Sequence, residues 1–185
     1  LDVIDEIFPY LEKITMIIDI TTHKADGSIS VSQKLSSLNT SYVESPVMGG
    51  PVQAKEGVLG AIVGCEKKDF QFAKEILMNF CRDVFYFGPI GMGAKAKLVS
   101  NFLSLGTATY VIETLKVADK LGIDLNKLYG VAKLGSGNSR ALDRIAEKAI
   151  NNDYKGYIFS VNNMLKDLTY INELLQDMPN AEKLS

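Results

Sequence analysis

The sequence predicts an α/β half followed by an all-helical half, with one long helix leading from the first into the second. Three observations predict it. Strand-like and helix-like runs alternate from the start to Gly88, glycine and proline cluster in GPIGMG (Gly88 to Gly93), and beyond that cluster helical periodicity persists with almost no strand signal. The regions are therefore residues 1–90 and 91–185.

Leu1, Ile4, Ile7, Phe8 and Leu11 fall on one face of an opening helix. ITMIIDI (Ile14 to Ile20) is a β-branched apolar run, the pattern of a parallel strand buried on both faces. A helix over residues 24–38 is weakened in its stripe by Ile29, Gln33 and Ser36, and SYVES (Ser41 to Ser45) reads as the next strand. VLGAIVG (Val58 to Gly64), a helix over Lys67 to Phe80 and the strand DVFYFG (Asp83 to Gly88) continue the alternation. From Ala94 to Leu121, the residues Leu98, Phe102, Leu105, Val111, Leu115 and Ala118 keep helical spacing. At 1.5 Å rise per residue that helix is roughly 42 Å long, and Gly122 suits its end. Further helices fit Leu125 to Leu134, Ser139 to Ile150 with Ser139 as cap, and Ser160 to Leu175. In the last of these Val161, Met164, Leu165, Leu168 and Leu175 mark the buried side. GSGN (Gly135 to Asn138) links two of them, and no internal repeat, low-complexity stretch or long charge run offers another architecture.

Composition excludes several functions. With 46% apolar residues in 185, the chain has material for a core and is not a disordered tail. A net charge of -2 gives no general attraction for nucleic acid or anionic lipid. Cys65 and Cys81 lie in apolar surroundings and read as buried thiols rather than a disulfide framework or metal site. One histidine, His23, and no Cys-x-x-Cys pair supply few ligands, so a metal-free mechanism is expected. No apolar run approaches the roughly 20 residues of a membrane span, and LDVIDEIFPYLEK lacks the order of a secretion signal. The expected home is the cytoplasm. The chain opens within a helix and without an initiator methionine, so a missing amino-terminal portion is expected.

Three constellations offer chemistry. Gly91 and Gly93 precede a helix in which Lys97 and Asn101, four apart, share a face and can serve one pocket. A lysine held out of water titrates below its ordinary value near 10.4 and can exchange a proton with an alcohol. The alternative is a solvated lysine, as Lys95 and Lys116 are expected to be. SPVMGGPVQAKEG (Ser45 to Gly57) follows a strand, and its Gly49 and Gly50 leave the backbone bare enough for N–H groups to bind a carboxylate; an ordinary tight turn has the same composition. DITTH (Asp19 to His23) ends a strand, at the edge where open α/β sheets bind ligands, although Thr21 or Thr22 could instead cap a helix.

In order and spacing these pieces resemble the β-hydroxyacid dehydrogenase family, which includes 3-hydroxyisobutyrate dehydrogenases and tartronate semialdehyde reductases. The family's strand-end Asp-x-Ser-Thr is similar to Asp19-Ile20-Thr21-Thr22. Its Asp-x-Pro-Val-Ser-Gly-Gly is similar to Glu44-Ser45-Pro46-Val47-Met48-Gly49-Gly50, continuing through Ala54, Gly57 and Val63-Gly64. Its Gly-x-Gly-x-x-x-Lys-x-x-x-Asn matches Gly91 to Asn101, and a phenylalanine seven residues before Lys-Asp matches Phe159, Lys166 and Asp167. The resemblance runs from about Val3 to Ile171.

The resemblance implies a truncated Rossmann-type domain feeding a long interdomain helix, then a helical substrate and dimerisation domain. It implies NAD or NADP as cofactor, a small hydroxy acid as substrate, and a homo-oligomeric full-length enzyme. Lys97 becomes the general acid/base and Asn101 holds substrate with it; Met48, Gly49, Gly50 and Phe159 line the substrate, and Thr22 and Lys166 meet the cofactor. Met48 stands where the family carries a serine, which removes a hydroxyl and points to a more apolar substrate. Ser100 replaces an asparagine and Ala25 a proline; the related 6-phosphogluconate dehydrogenases carry histidine at the Ser100 position. No Gly-x-Gly-x-x-Gly follows a first strand, and the chain stops soon after Asp167. The fragment alone is therefore expected to bind cofactor poorly and to be weakly active or inactive. The rival expectations are a non-catalytic binding or scaffold module of the same superfamily, and a piece that serves only as an assembly surface.

Overall fold

In the computed structural model, residues 2–13 and 16–184 are described. Leu1 of the opening helix, with Ile14 and Thr15 of the ITMIIDI run, lies outside the described residues. The chain divides into two compact units, Leu1–Val99 and Ser100–Ser185.

The first unit is a mixed five-stranded sheet with helices: α1 (Asp2–Ile7), β1 (Met16–Asp19), α2 (Ala25–Ser36), β2 (Ser41–Glu44), β3 (Val47–Met48), α3 (Pro51–Lys55), β4 (Leu59–Gly64), α4 (Lys67–Leu77) and β5 (Cys81–Gly88). The opening helix gives way to a 3-10 turn over Phe8–Lys13, where Pro9 supplies no backbone N–H. Ile4 and Leu11 are buried as the stripe predicts, and with Val31, Leu35 and Tyr42 they form one cluster against α2 and β2. β1 pairs parallel with β2, Met16 to Ser41 through Asp19 to Glu44. Its four residues are half-buried rather than buried on both faces, because within the described sheet β1 is flanked by β2 alone.

β4 lies at the centre. It runs parallel to β5, antiparallel to β3, and meets β2 antiparallel through the single pair Glu44 and Gly64. Val43, Leu59, Ala61, Val63, Ala73, Leu77 and both thiols, Cys65 and Cys81, close the core between sheet and α4. Burial pushes the Cys65 thiol up to about 11, and burial also raises Cys81. Protonated, apolar-packed thiols of this kind are inert.

Helix α5 (Met92–Lys120) has 29 residues, about 43 Å at 1.5 Å per residue, and starts two residues before the predicted boundary. Leu98, Leu105, Val111, Leu115 and Ala118 are buried as expected, while Phe102 is half-buried. Gly122 adopts φ +69° after its end, the left-handed conformation that terminates helices. The second unit continues with α6 (Leu125–Ala132), α7 (Arg140–Ala149), α8 (Val161–Leu174) and a short α9 (Pro179–Glu182). Ser139 and Ser160 cap α7 and α8, accepting from the Leu142 and Asn163 amides, and Asp124 caps α6 from the Asn126 and Lys127 amides. Ala108, Val111 and Leu115 of α5 pack with Leu142, Ile145 and Ala146 of α7. Among the described residues, no helix is long and apolar enough to cross a membrane.

Candidate active site

The site in the first unit is built from the chain reversal after β2. Pro46 favours extended backbone at Ser45, and the chain turns into the short strand β3, whose Val47 and Met48 face Ala61 and Gly60 of β4. Gly49 then takes φ +119°, and a Cβ there would stand 2.8 Å from a Leu59 methyl, so only glycine fits. Gly50 opens α3 with Pro51 at the first helical position, and its N–H donates to Gln53 Oε1 at 2.9 Å. The second amide of the predicted carboxylate-binding pair is thus already engaged by a side chain for which the sequence reading has no role.

Lys97 arrives at this reversal from α5. It is only 9% exposed, whereas Lys95 and Lys116 are solvated. Its Nζ donates to the Val47 carbonyl at 2.8 Å and lies 3.2 Å from Met48 Sδ. Lys97 and Met48 are therefore in contact, immediately before Gly49 and Gly50 in the chain. The start of α5 is held by Glu44, whose Oε1 accepts from the amides of Gly91 at 2.7 Å and Gly93 at 2.8 Å. Gly91 has φ +94°, and a Cβ on Gly93 would come within 2.8 Å of the Gly64 nitrogen. The paired glycines thus exist to let a buried carboxylate close on the backbone.

At the end of β1, Asp19 Oδ1 accepts from the Thr21 amide at 2.9 Å and hydroxyl at 2.6 Å, and Oδ2 accepts from Tyr42 at 2.9 Å. Burial acts to raise the Asp19 carboxyl, but these hydrogen bonds and nearby His23 outweigh it and hold the group below its ordinary value. Neither threonine caps α2: its cap position is Lys24, without a side-chain bond. Thr21 folds back on Asp19 and Thr22 follows, half-buried, at the carboxyl edge of the parallel pair.

In the second unit, Asn101 is buried at 7% exposure, and its Nδ2 donates to Asp167 Oδ2 at 2.7 Å. Lys166 Nζ lies 3.1 Å from the other Asp167 oxygen, an ion pair without hydrogen-bond alignment, and 5.5 Å from the Tyr170 ring centre. Phe159 precedes α8 and is 38% exposed. Two buried acids, Glu44 and Asp167, thus organise the predicted residues, although the sequence reading gives neither a role. Asp167 carried a signal, an acid on the helix face that also bears Met164 and Ile171, whereas Glu44, between Val43 and Ser45, carried none.

The chain matches known proteins along most of its length. Residues 1–88 match a family described as the NAD binding domain of 6-phosphogluconate dehydrogenase, and residues 91–182 one described as NAD-binding of NADP-dependent 3-hydroxyisobutyrate dehydrogenase. The 3-hydroxyisobutyrate dehydrogenase of Pseudomonas aeruginosa is 30% identical over 160 residues, covering 83% of this chain and 53% of that protein. The chain belongs to the β-hydroxyacid dehydrogenase family. The L-threonate dehydrogenase of Haemophilus influenzae, at 27% identity, covers 89% of this family member and 54% of its own length. The chain spans about half the length of the curated relatives it matches. A solved 3-hydroxyisobutyrate dehydrogenase of Mycobacterium tuberculosis, with L-serine, superposes with a TM-score of 0.82 at 22% identity over 98% of this chain and 68% of that one. That likeness shows the fold: a Rossmann-like α/β region followed by a helical one. Both matching families are described as NAD-binding, so NAD or NADP is the cofactor of the family to which the chain belongs.

Proposed function

We propose that the intact protein transfers hydride between NAD(P) and the CH–OH carbon of a small β-hydroxy acid, with Lys97 as general acid/base. In this reading residues 1–90 are the carboxy-terminal part of the dinucleotide-binding domain and residues 91–185 the helical substrate domain. The observation that carries it is the buried Lys97 amine, hydrogen-bonded to Val47 at 2.8 Å beside the Gly49–Gly50 turn. One N–H of the amine is spent on that carbonyl in either protonation state. The nitrogen is thereby oriented for proton exchange with the alcohol.

The end of β1 suits the nicotinamide end of a dinucleotide. It offers a threonine at the carboxyl edge of a parallel pair, on backbone fixed by the Asp19–Thr21 turn. Thr22 and, by family resemblance, Lys166 would hold the cofactor, which when bound accepts or supplies the hydride. The glycine-rich pyrophosphate motif is not among these 185 residues. Asn101, held by Asp167, would present its amide oxygen to substrate. Phe159 and Met48 would line the apolar side, and Gly49 would offer the substrate carboxylate an amide, joined by Gly50 once Gln53 swings away. Met48 in place of the family's serine favours substrates with fewer hydroxyls near the carboxylate. A cytoplasmic, homo-oligomeric enzyme completes this reading.

The test is a titration of the intact protein with NAD and NADP, followed by nicotinamide absorbance against a panel of β-hydroxy acids. Turnover of at least one supports the enzyme. Dinucleotide binding without turnover of any substrate supports a scaffold module instead.

A further inference from the structure

The buried acid at the end of β2 is unaccounted for by a proton-transfer mechanism at Lys97. Glu44 is 2% exposed, and desolvating a carboxylate is costly unless it is hydrogen-bonded. Its two bonds, both through Oε1, go to the Gly91 and Gly93 amides, while Oε2 has no hydrogen-bond partner among the described residues. A carboxylate bonded in this way faces the positive, amide-bearing start of the 29-residue helix α5. The neighbouring residues are shaped for this contact, since a side chain on Gly64 would strike the Glu44 carboxylate and one on Gly93 would crowd it.

The consequence lies four residues further on. Within α5 the Gly93 carbonyl is the i−4 acceptor of the Lys97 amide, so the residue whose N–H Glu44 pins is also the one whose carbonyl holds the Lys97 backbone. Three residues after Glu44, the Val47 carbonyl accepts from the Lys97 amine. Backbone and side chain of Lys97 are thus tied to the same short stretch, Glu44 to Val47. We propose that Glu44 is a positioning residue that fixes Lys97 by clamping the two amides that open α5. This inference rests on Lys97 being the proton carrier, but the clamp itself can be read without turnover.

The experiment compares Glu44→Gln and Glu44→Asp with wild type in the intact protein, by hydrogen exchange at Gly91 and Gly93 and by steady-state kinetics. Glu44→Gln keeps the shape and removes the charge. Because charge-assisted hydrogen bonds are roughly twice as strong as neutral ones, exchange at both glycines should accelerate about tenfold. Misplacing a reacting group by about 1 Å costs up to about 100-fold, so kcat should fall by about 10- to 100-fold while KM moves less than about twofold. Glu44→Asp, which keeps the charge and restores the family's residue at this position, should recover most of both. Unchanged exchange in Glu44→Gln overturns the clamp. Faster exchange with wild-type kcat, in a protein where Lys97→Met is inactive, overturns the positioning role. Retained turnover in Lys97→Met instead defeats the reading of Lys97, and the clamp is then judged on exchange alone.

Discussion

The Lys97 amine donates to the carbonyl of Val47 across 2.8 Å, on the segment that turns through Gly49 and Gly50. A lysine that reaches solvent makes no such commitment; this one is buried along its stem and fixed at its tip. Lys97→Met preserves the unbranched apolar stem and removes the amine. Loss of general acid/base catalysis should lower kcat by about 10²–10⁴ on any β-hydroxy acid the intact protein turns over. A thermal melt of the same variant separates this loss from unfolding, and wild-type turnover would refute the role.

Asp167 predicts a different outcome, because its work is structural within the helical unit. It is 3% exposed and accepts from Asn101 at 2.7 Å, with Lys166 paired to its other oxygen. Asp167→Ala strands the buried Asn101 amide. Leaving one buried polar group unsatisfied costs about 1–3 kcal/mol, which urea unfolding would detect as a lower midpoint at unchanged slope. Asp167→Asn keeps an acceptor for Asn101 and should recover part of that loss.

Periodicity made the helices legible, and α5, α7 and α8 begin and end within about two residues of the positions read from it. Capping residues account for much of this: Ser139 and Ser160 do in space what their positions imply. By its glycines and prolines the segment after Pro46 reads as a turn, yet it holds the two-residue strand β3 and the five-residue helix α3. Elements so short carry no periodic signal, and β3 exists because β4 offers it an edge. The antiparallel meeting of β2 and β4 was equally invisible, since it depends on one residue pair, Glu44 and Gly64. Among the candidate site residues, spacing alone left Lys97 open between a pocket and solvent, and its burial depends on the chain reversal at Val47 that spacing does not show. Glu44 could not be read at all, because a buried acid and a solvated one look alike until the backbone amides that receive it are brought from 47 residues away.

Two glycines in one helix should respond oppositely to alanine. A Cβ on Gly93 would lie 2.8 Å from the Gly64 nitrogen and 3.0 Å from the Ile62 carbonyl oxygen, both backbone atoms of the central strand that cannot step aside. Gly93→Ala should therefore destabilise the fold. Gly106 has open space where its Cβ would stand. Gly106→Ala should stabilise by about 0.5–1 kcal/mol, since glycine in a helix interior carries excess backbone entropy in the unfolded chain. Thermal melts of both variants decide the matter, and equal shifts would contradict the packing at Gly93.

Asp19 sets a pH dependence whose direction follows from its hydrogen bonds. Burial opposes ionisation, but Thr21 donates twice, Tyr42 once, and His23 lies 3.5 Å away, so the net effect lowers the carboxyl below 3.8. A group with a depressed folded pKa contributes stability that is fully present above its unfolded value, and that contribution is lost as pH falls through the folded value. Between neutral pH and about 5 the Asp19 contribution should be flat, and below about 4 it should decline. Asp19→Asn removes the titrating group but leaves an acceptor for Thr21. Urea unfolding of wild type and variant at pH 7 and pH 3 should show wild type ahead at pH 7 and the gap narrowing at pH 3. A gap that widens on acidification would mean that burial, not the Thr21 and Tyr42 hydrogen bonds, governs the strand end.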